Sequence, residues 1–516
     1  MIGQIGFRVA VGQKTRAGQA LLYSETVIAL TEREKVLHLL RRFGLGATPE
    51  ELDAGLKLGP EGLLKSLIEY EATDPGLVVS PWEVCFEEGK DEVYLDAFRP
   101  VVTWGVRLAV TKRPLEEKLT LFWHDHFAVS ANKVEFGPMM QNYVDTLRRG
   151  ASGKFSDLLH SISKDPAMMM WLDTTANQKG HPNENFAREV MELFTLGIGH
   201  YTEKDVQESA RALTGWGIRY LLYEQGVEKI QQTAKDSIQN NRPLVAFCTS
   251  PDLHDDGAKT ILGQTKAWTG DELLDMLADR PETAHLIAHK LWSFFAYPDP
   301  EPAVVERLAA VYRQNQSQIK PMLYAIAQSP EFWSDKCVRR QVKSPLDFTV
   351  SIVRQLGVGA FLATLRSKEP RKWNDPLPKP FRDIGGLVIT LMVQQGMFLL
   401  NPPSVAGWDW GQAWISSDSM IQRMKLGELL TGGDRGGAKA ILGRLAAMGA
   451  PTSTEQLVDH ILTVFDGQLP PDKKALFVQA ADKAGGAAAL GNVETAAPVI
   501  ASVLKLLFAS PEFQFC

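Results

Sequence analysis

The sequence predicts a mostly α, multi-helix globular protein with few short strands and a C-terminal helical subdomain. Three observations carry that expectation. Helix-start punctuation recurs from Thr31 onward, apolar residues repeat at helical spacing through most of the chain, and strand-like alternation is confined to 218–223 and 243–248. Hydrophobic content of 45% and charged content of 22% are those of a folded globular chain. At 516 residues the chain exceeds what one ordinary core holds, so two or three subdomains are expected.

Residues 1–28 show no clear periodicity and read as an N-terminal extension. The main helical domain spans 29–416. Thr31 with Glu34 forms a capping box ahead of Val36, Leu37, Leu39 and Leu40. Thr48-Pro49-Glu50-Glu51 repeats the signal, with acids at the positive end of the helix dipole. Gly59-Pro60 separates two short helices, and 72–92 reads as a loop. Pro114 opens a helix to about Phe127, with Leu115, Leu119, Phe122 and His126 on one stripe. Further helices are expected at 138–149, 155–163, 185–196, 203–214, 271–279, 282–296, 302–314 and 319–328. Others follow at 346–356, 384–400, 418–430, 438–448, 454–465, 472–483 and 495–508, those beyond 417 forming a C-terminal helical subdomain, 417–516. Ser329-Pro330-Glu331-Phe332 is echoed by Ser510-Pro511-Glu512-Phe513, each closing a helix, since proline holds the residue before it away from the helical region.

Composition narrows the function classes. A net charge of −6 without a basic block gives no support to nucleic-acid binding. The four cysteines are scattered and form no CxxC pair, so neither a zinc knuckle nor a disulfide framework is suggested. Apolar runs such as 385–400 are broken by Gln394 and Gln395, so no membrane span is expected. Without an apolar export segment near the start, a cytoplasmic location is the default expectation. GxSxG, Walker and Rossmann glycine patterns are missing from the sequence, so no nucleotide cofactor is expected.

Polar chemistry gathers in the middle third. Eight of the ten histidines lie between 124 and 289, where an even spread would put about three. The densest stretch runs from 181 to 216. Glu184, Asn185, Arg188, Glu189 and Glu192 share one arc of a projected α-helix, with Asn183 just before it. A solvated face laced by Glu184–Arg188 and Arg188–Glu192 ion pairs explains them structurally. Three glutamates and two asparagines without a lysine also suit a cation or a polyhydroxylated ligand, and Glu189 with Glu192 can reach one divalent metal or one water. In the next helix Asp205 reads equally as a capping acid. His124 and His126 point about 200° apart on a helix, which opposes a shared metal. In the loop His254-Asp255-Asp256-Gly257-Ala258-Lys259 a turn is the plain reading; base, orienting acid and anion-binding cation is the chemical one. His285 and His289 lack the glutamate of a zinc-protease helix. Trp408, Trp410 and Trp414 read as core aromatics first and as a sugar-stacking platform second.

Several stretches, in order, resemble the bacterial family known as domain of unknown function 1800. They are Leu37–Gly44, Phe122–Phe127, Asn183–Glu189, Glu192–Gly197, Tyr201-Thr202 with Asp205-Val206, Ala210–Trp216, His254-Asp255 with Gly257 and Lys259, Pro402–Trp408 and Ser510–Phe513. The resemblance runs from about Leu30 to the C-terminus. It implies relatives that often carry export signals and often sit beside a sulfatase-like partner protein.

The expected function is a hydrolase or metal-assisted enzyme. Glu184, Arg188, Glu189, Glu192, His126, His254 and Asp255 are its catalytic candidates, and Asn183, Asn185, Lys259 and Trp408 its binding candidates. Glu189 or Glu192 serves as general base or metal ligand, while Arg188 and Lys259 hold an anion. The alternative is a non-catalytic helical scaffold or partner-binding protein with a structural polar network. Convergence of His126, His254, Asp255 and the acids of 184–192 in one pocket separates the two.

Overall fold

The Thr31 and Thr48 hydroxyls each accept the backbone N–H three residues on, while Glu34 and Glu51 return the bond, so both expected capping boxes start their helices. The computed structural model describes residues 30–240, 242–366, 372–433 and 436–516; the 1–28 extension lies outside the described residues. The chain is 64% helical, with 23 α-helices among the described residues and strands limited to two antiparallel pairs. One pair joins β1 (Trp216–Tyr220) to β2 (Val245–Thr249), near the two expected strand segments. The other, β3 (Lys259–Ile261) with β4 (Gln264–Lys266), follows the His254 loop and was not expected.

Pro49–Ile68 is two helices joined at a kink at Gly59, where φ is 71°, so the two expected segments are present and meet there. The sequence reading omits the Arg99–Val110 helix. Its run of valines and a central glycine gives weak intrinsic helix propensity. Packing supplies the stability. A Cβ on Gly105 would stand 2.6 Å from the Gly385 carbonyl oxygen of the Lys379–Gln394 helix, so the two backbones touch where no larger residue fits. Among the described residues no single helix is long and apolar enough to cross a membrane.

Two apolar cores form. The larger draws on residues from Val36 to Trp414. The second is built by residues from Leu426 to Phe513 together with Phe348, Ile352, Leu356 and Leu391. The Pro345–Gln355 helix therefore faces both cores, and the seam runs through it. Arg423 locks that seam. It is fully buried, and its guanidinium donates to Gln395 Oε1, Gln514 Oε1 and the Lys343 carbonyl at 3.0, 2.7 and 2.9 Å. Residues 514–516 fold back along 341–343, with Lys343 N donating to Gln514 O at 2.7 Å and Cys516 N to Gln341 O at 2.9 Å. The two Ser-Pro-Glu-Phe segments each make a 3₁₀ turn and bury their phenylalanine, Phe332 in the larger core and Phe513 in the second.

Candidate functional site

The acidic stretch is held by its own asparagines. Asn177 Nδ2 donates to Ala210 O at 2.8 Å, Asn183 N donates to Asn177 Oδ1 at 2.9 Å, and Asn185 N donates to Asn183 Oδ1 at 2.9 Å. Asn183 and Asn185 thus shape the turn that starts the helix. Arg188 forks onto Glu203 with two 2.7 Å bonds and reaches back to Glu184 at 3.2 Å. All three side chains are at least one-third exposed.

The expected 185–196 α-helix needs correction. It is α-helical over Asn185–Glu189 and then widens into a π-helix over Val190–Thr195. Leu196 N bonds Met191 O at 2.8 Å, five residues back, the longer ring of a π turn. Widening the turn carries Glu192 away from Arg188. The expected Arg188–Glu192 pair is replaced by a Tyr201 hydroxyl bonded to Glu192. Glu189 has no hydrogen bond or ion pair among the described residues; burial, then Glu192, pushes its carboxyl above the usual range.

The π segment ends with carbonyls that no helical N–H reaches, and the cap comes from elsewhere. His126 Nε2 donates to Phe194 O at 3.1 Å, and Lys290 Nζ lies 3.4 Å from Leu193 O. Lys290 also donates to His126 Nδ1 at 3.0 Å. An ammonium can only donate, so the proton of His126 sits on Nε2. Burial, reinforced by the Lys290 charge, holds His126 far below its ordinary pKa and therefore neutral. Burial also lowers Lys290, against the attraction of Asp125.

Asp125 stands beside them on the Pro114–His126 helix. Its Oδ1 accepts Trp408 N and its Oδ2 accepts Trp410 Nε1, both at 2.8 Å. Those bonds favour the carboxylate, but desolvation wins and pushes the group up to about 6. Asp125 and Lys290 form no direct ion pair. Gly407, at φ 84°, gives the backbone the close approach to Asp125 that this cradle needs. Together these groups line a cleft of about 1080 Å³, walled by Phe122, Phe294, Trp410 and Phe515, with Trp408 at its base and His289 and Arg340 on its rim.

The family model described as "Protein of unknown function (DUF1800)" matches residues 38–515, nearly the whole chain. The chain belongs to the DUF1800 family. No curated protein and no solved structure matches it. Two stretches that carry the DUF1800 resemblance, Phe122–Phe127 and Pro402–Trp408, meet at this cleft, and a third, Glu192–Gly197, ends against its His126.

The remaining candidates of the DUF1800 chain lie elsewhere. His124 shares no site with His126. Its Nδ1 donates to the Tyr143 hydroxyl at 2.7 Å, its Nε2 accepts Leu400 N at 3.0 Å, and burial pushes it down to about 3. Asp255 is clamped by Arg211 at 2.7 and 3.2 Å, which holds its carboxyl down to about 2. His254 Nδ1 bonds Thr214 O at 2.9 Å. Lys259 is buried, its ammonium surrounded by the carbonyls of Asp255, Gly257 and Trp268, so it closes the loop and offers no free donor to an anion. Asp205 caps its own helix and accepts Leu262 N at 2.7 Å.

The acidic segment and the His254 loop attach to opposite ends of the Glu203–Ala212 helix, through Glu203 and Arg211. Eight residues of helix separate those anchors by about 12 Å. Neither set lines the large cleft; His126 and Trp408 do. Among the described residues no group of three or more His, Cys, Asp or Glu side chains is placed to hold a metal ion.

Sequence reasoning missed Asp125 and Lys290. A signal for Lys290 exists: Ile287, Leu291 and Phe294 mark the buried face of the Pro281–Phe295 helix, and a lysine at 290 falls on that face.

Proposed function

We propose that this DUF1800 chain is an enzyme of hydrolase type, working by general acid–base chemistry in the aromatic cleft. One observation carries the reading. Two groups of opposite charge, Asp125 and Lys290, line one aromatic cleft of about 1080 Å³, each displaced toward neutrality and neither paired with the other. Asp125 is the base, its oxygens oriented by Trp408 N and Trp410 Nε1. Lys290, steered by the neutral His126, donates to the oxygen that gains negative charge. The aromatic walls hold the apolar part of the substrate.

A metal-assisted version would draw on Glu189 and Glu192. It has weaker support, because those two acids are joined by no third ligand among the described residues. Glu184, Arg188, His254 and Asp255 are read as frame: their partners tie the acidic segment and the His254 loop to one helix. In that respect the scaffold alternative keeps its own support.

The test is a panel of ester, amide, glycoside and phosphoester substrates, assayed with wild type, Asp125→Asn and Lys290→Gln. Each variant's fold is verified by circular dichroism. Turnover that drops about 10²–10⁴-fold in folded Asp125→Asn supports the proposal. Undiminished turnover in that variant, or no turnover by wild type on any of the four bond types, overturns it.

A further inference from the structure

A second concave region lies apart from the aromatic cleft, between the Gly137–Gly150 and Phe155–Ser163 helices and the lead-in to β2. It consists of two clefts of about 520 and 580 Å³ that share Asn142, Arg149, Pro166, Pro243 and Val245 as a common wall. Arg149 stands at the junction, Lys154 lines the first cleft and Arg242 lines the second. None of these three cations has a carboxylate partner among the described residues. That sets them apart from Arg148 nearby, which holds Asp145 at 2.6 Å, and from Lys164, which holds Asp271 at 2.5 Å.

The central arginine is positioned. Its Nη2 donates to Thr146 Oγ1 at 3.1 Å, and Thr146 in turn donates to Asp165 Oδ2 at 3.3 Å. Asp165 is 2% exposed and also accepts Asn142 Nδ2 at 2.6 Å and Ala167 N at 3.0 Å. This relay orients one edge of the guanidinium and leaves its other N–H groups open to the clefts. A guanidinium presents a planar fork of donors that matches the oxygens of a phosphate or carboxylate. Of the acids on the lining, Asp145 is neutralised by Arg148, Asp165 is committed to the wall, and Asp157 lies at the exposed rim.

We propose that this double cleft is a binding site for a small multivalent oxyanion. Arg149 grips it at the centre, and Lys154 and Arg242 close the two ends. Two clefts meeting at one arginine suit a ligand with anionic groups on either side of a short linkage, as in a diphosphate or a polycarboxylate. The site stands independently of the chemistry assigned to Asp125.

Isothermal titration of the full chain with inorganic pyrophosphate, and separately with citrate, tests it. Saturable binding of at least one probe is expected, weakened about 10–100-fold in Arg149→Gln and in Arg242→Gln. Arg382→Gln, an exposed arginine on another helix, should bind as wild type does. A preference for pyrophosphate assigns a phosphate ligand, and a preference for citrate assigns a carboxylate one. No saturable heat with either probe at millimolar concentration, or equal binding by Arg149→Gln, overturns the proposal. Asp125→Asn should bind both probes normally, so the two proposals fail separately.

Discussion

The acidic 184–203 segment and the floor of the aromatic cleft both bring charges together, and they solve opposite problems. In the segment, Glu184, Arg188 and Glu203 neutralise one another in geometry open to solvent. On the floor, Asp125 and Lys290 are partly buried and remain apart, and that burial pushes each toward its neutral form. Exposed, satisfied pairs contribute little energy and no reactivity. Desolvated, separated groups are held in states that a substrate can change. Density of charge along a sequence therefore marks frame as readily as chemistry, and the informative charge is the sparse one inside an apolar helix face.

Mutations can break or sharpen this contrast. The largest expected effect is Asp125→Asn, with turnover down about 10²–10⁴-fold and the cleft intact, measured by steady-state kinetics. Lys290→Met should follow at roughly 10²-fold, showing as a fall in kcat rather than a rise in KM if the ammonium acts on developing charge.

pH comes next. With Asp125 as base at about 6, activity should fall close to tenfold per pH unit below that point, and this limb should vanish in Asp125→Asn. The folded carboxyl lies above its unfolded value of about 4, so its protonated form contributes stability below that pH, and the contribution is lost as pH rises through about 6. Wild-type Tm, relative to Asp125→Asn, should decline across that window.

Glu192→Gln should leave turnover within about twofold, since its partner is Tyr201 and it does not line the cleft. A large loss there would return the chemistry to the π-helical segment. Smallest of all is Arg188→Ala, expected to cost at most about 1 kcal/mol in urea unfolding because its ion pairs are wet. Arg423→Ala calibrates the scale. Leaving its buried acceptors unpaired should cost about 3–5 kcal/mol.

Helices with caps were legible in the sequence because their signals are local. Thr31-Glu34, Thr48-Glu51 and Thr202-Asp205 form their boxes from four consecutive residues. The Arg99–Val110 helix was not legible, because its stability comes from a glycine contact with a helix nearly three hundred residues later. The π-helical widening escaped for a related reason: its carbonyls are capped by His126 and Lys290, one earlier in the chain and one later. His126 was readable as inward-facing from its apolar stripe. The cradle around Asp125 was not, since the segments around 125, 290 and 408 meet only in the folded chain. Trp408 was correctly read as a buried aromatic, T-shaped against His124 at 5.2 Å.

The return of 514–516 along 341–343 has a consequence for synthesis. Phe515 and the Arg340–Val342 segment are one wall of the aromatic cleft, while its floor is made at 125 and 290. A ribosome adding about 5–20 residues per second needs roughly 10–45 s to travel from 290 to 515. Through that interval Phe122 and Phe294, joined by Trp410 once it is made, lack the wall that Phe515 completes. The nascent chain thus carries an incomplete aromatic trough until Phe515 is made, a natural foothold for a chaperone and a reason for termination before that point to yield aggregation-prone fragments.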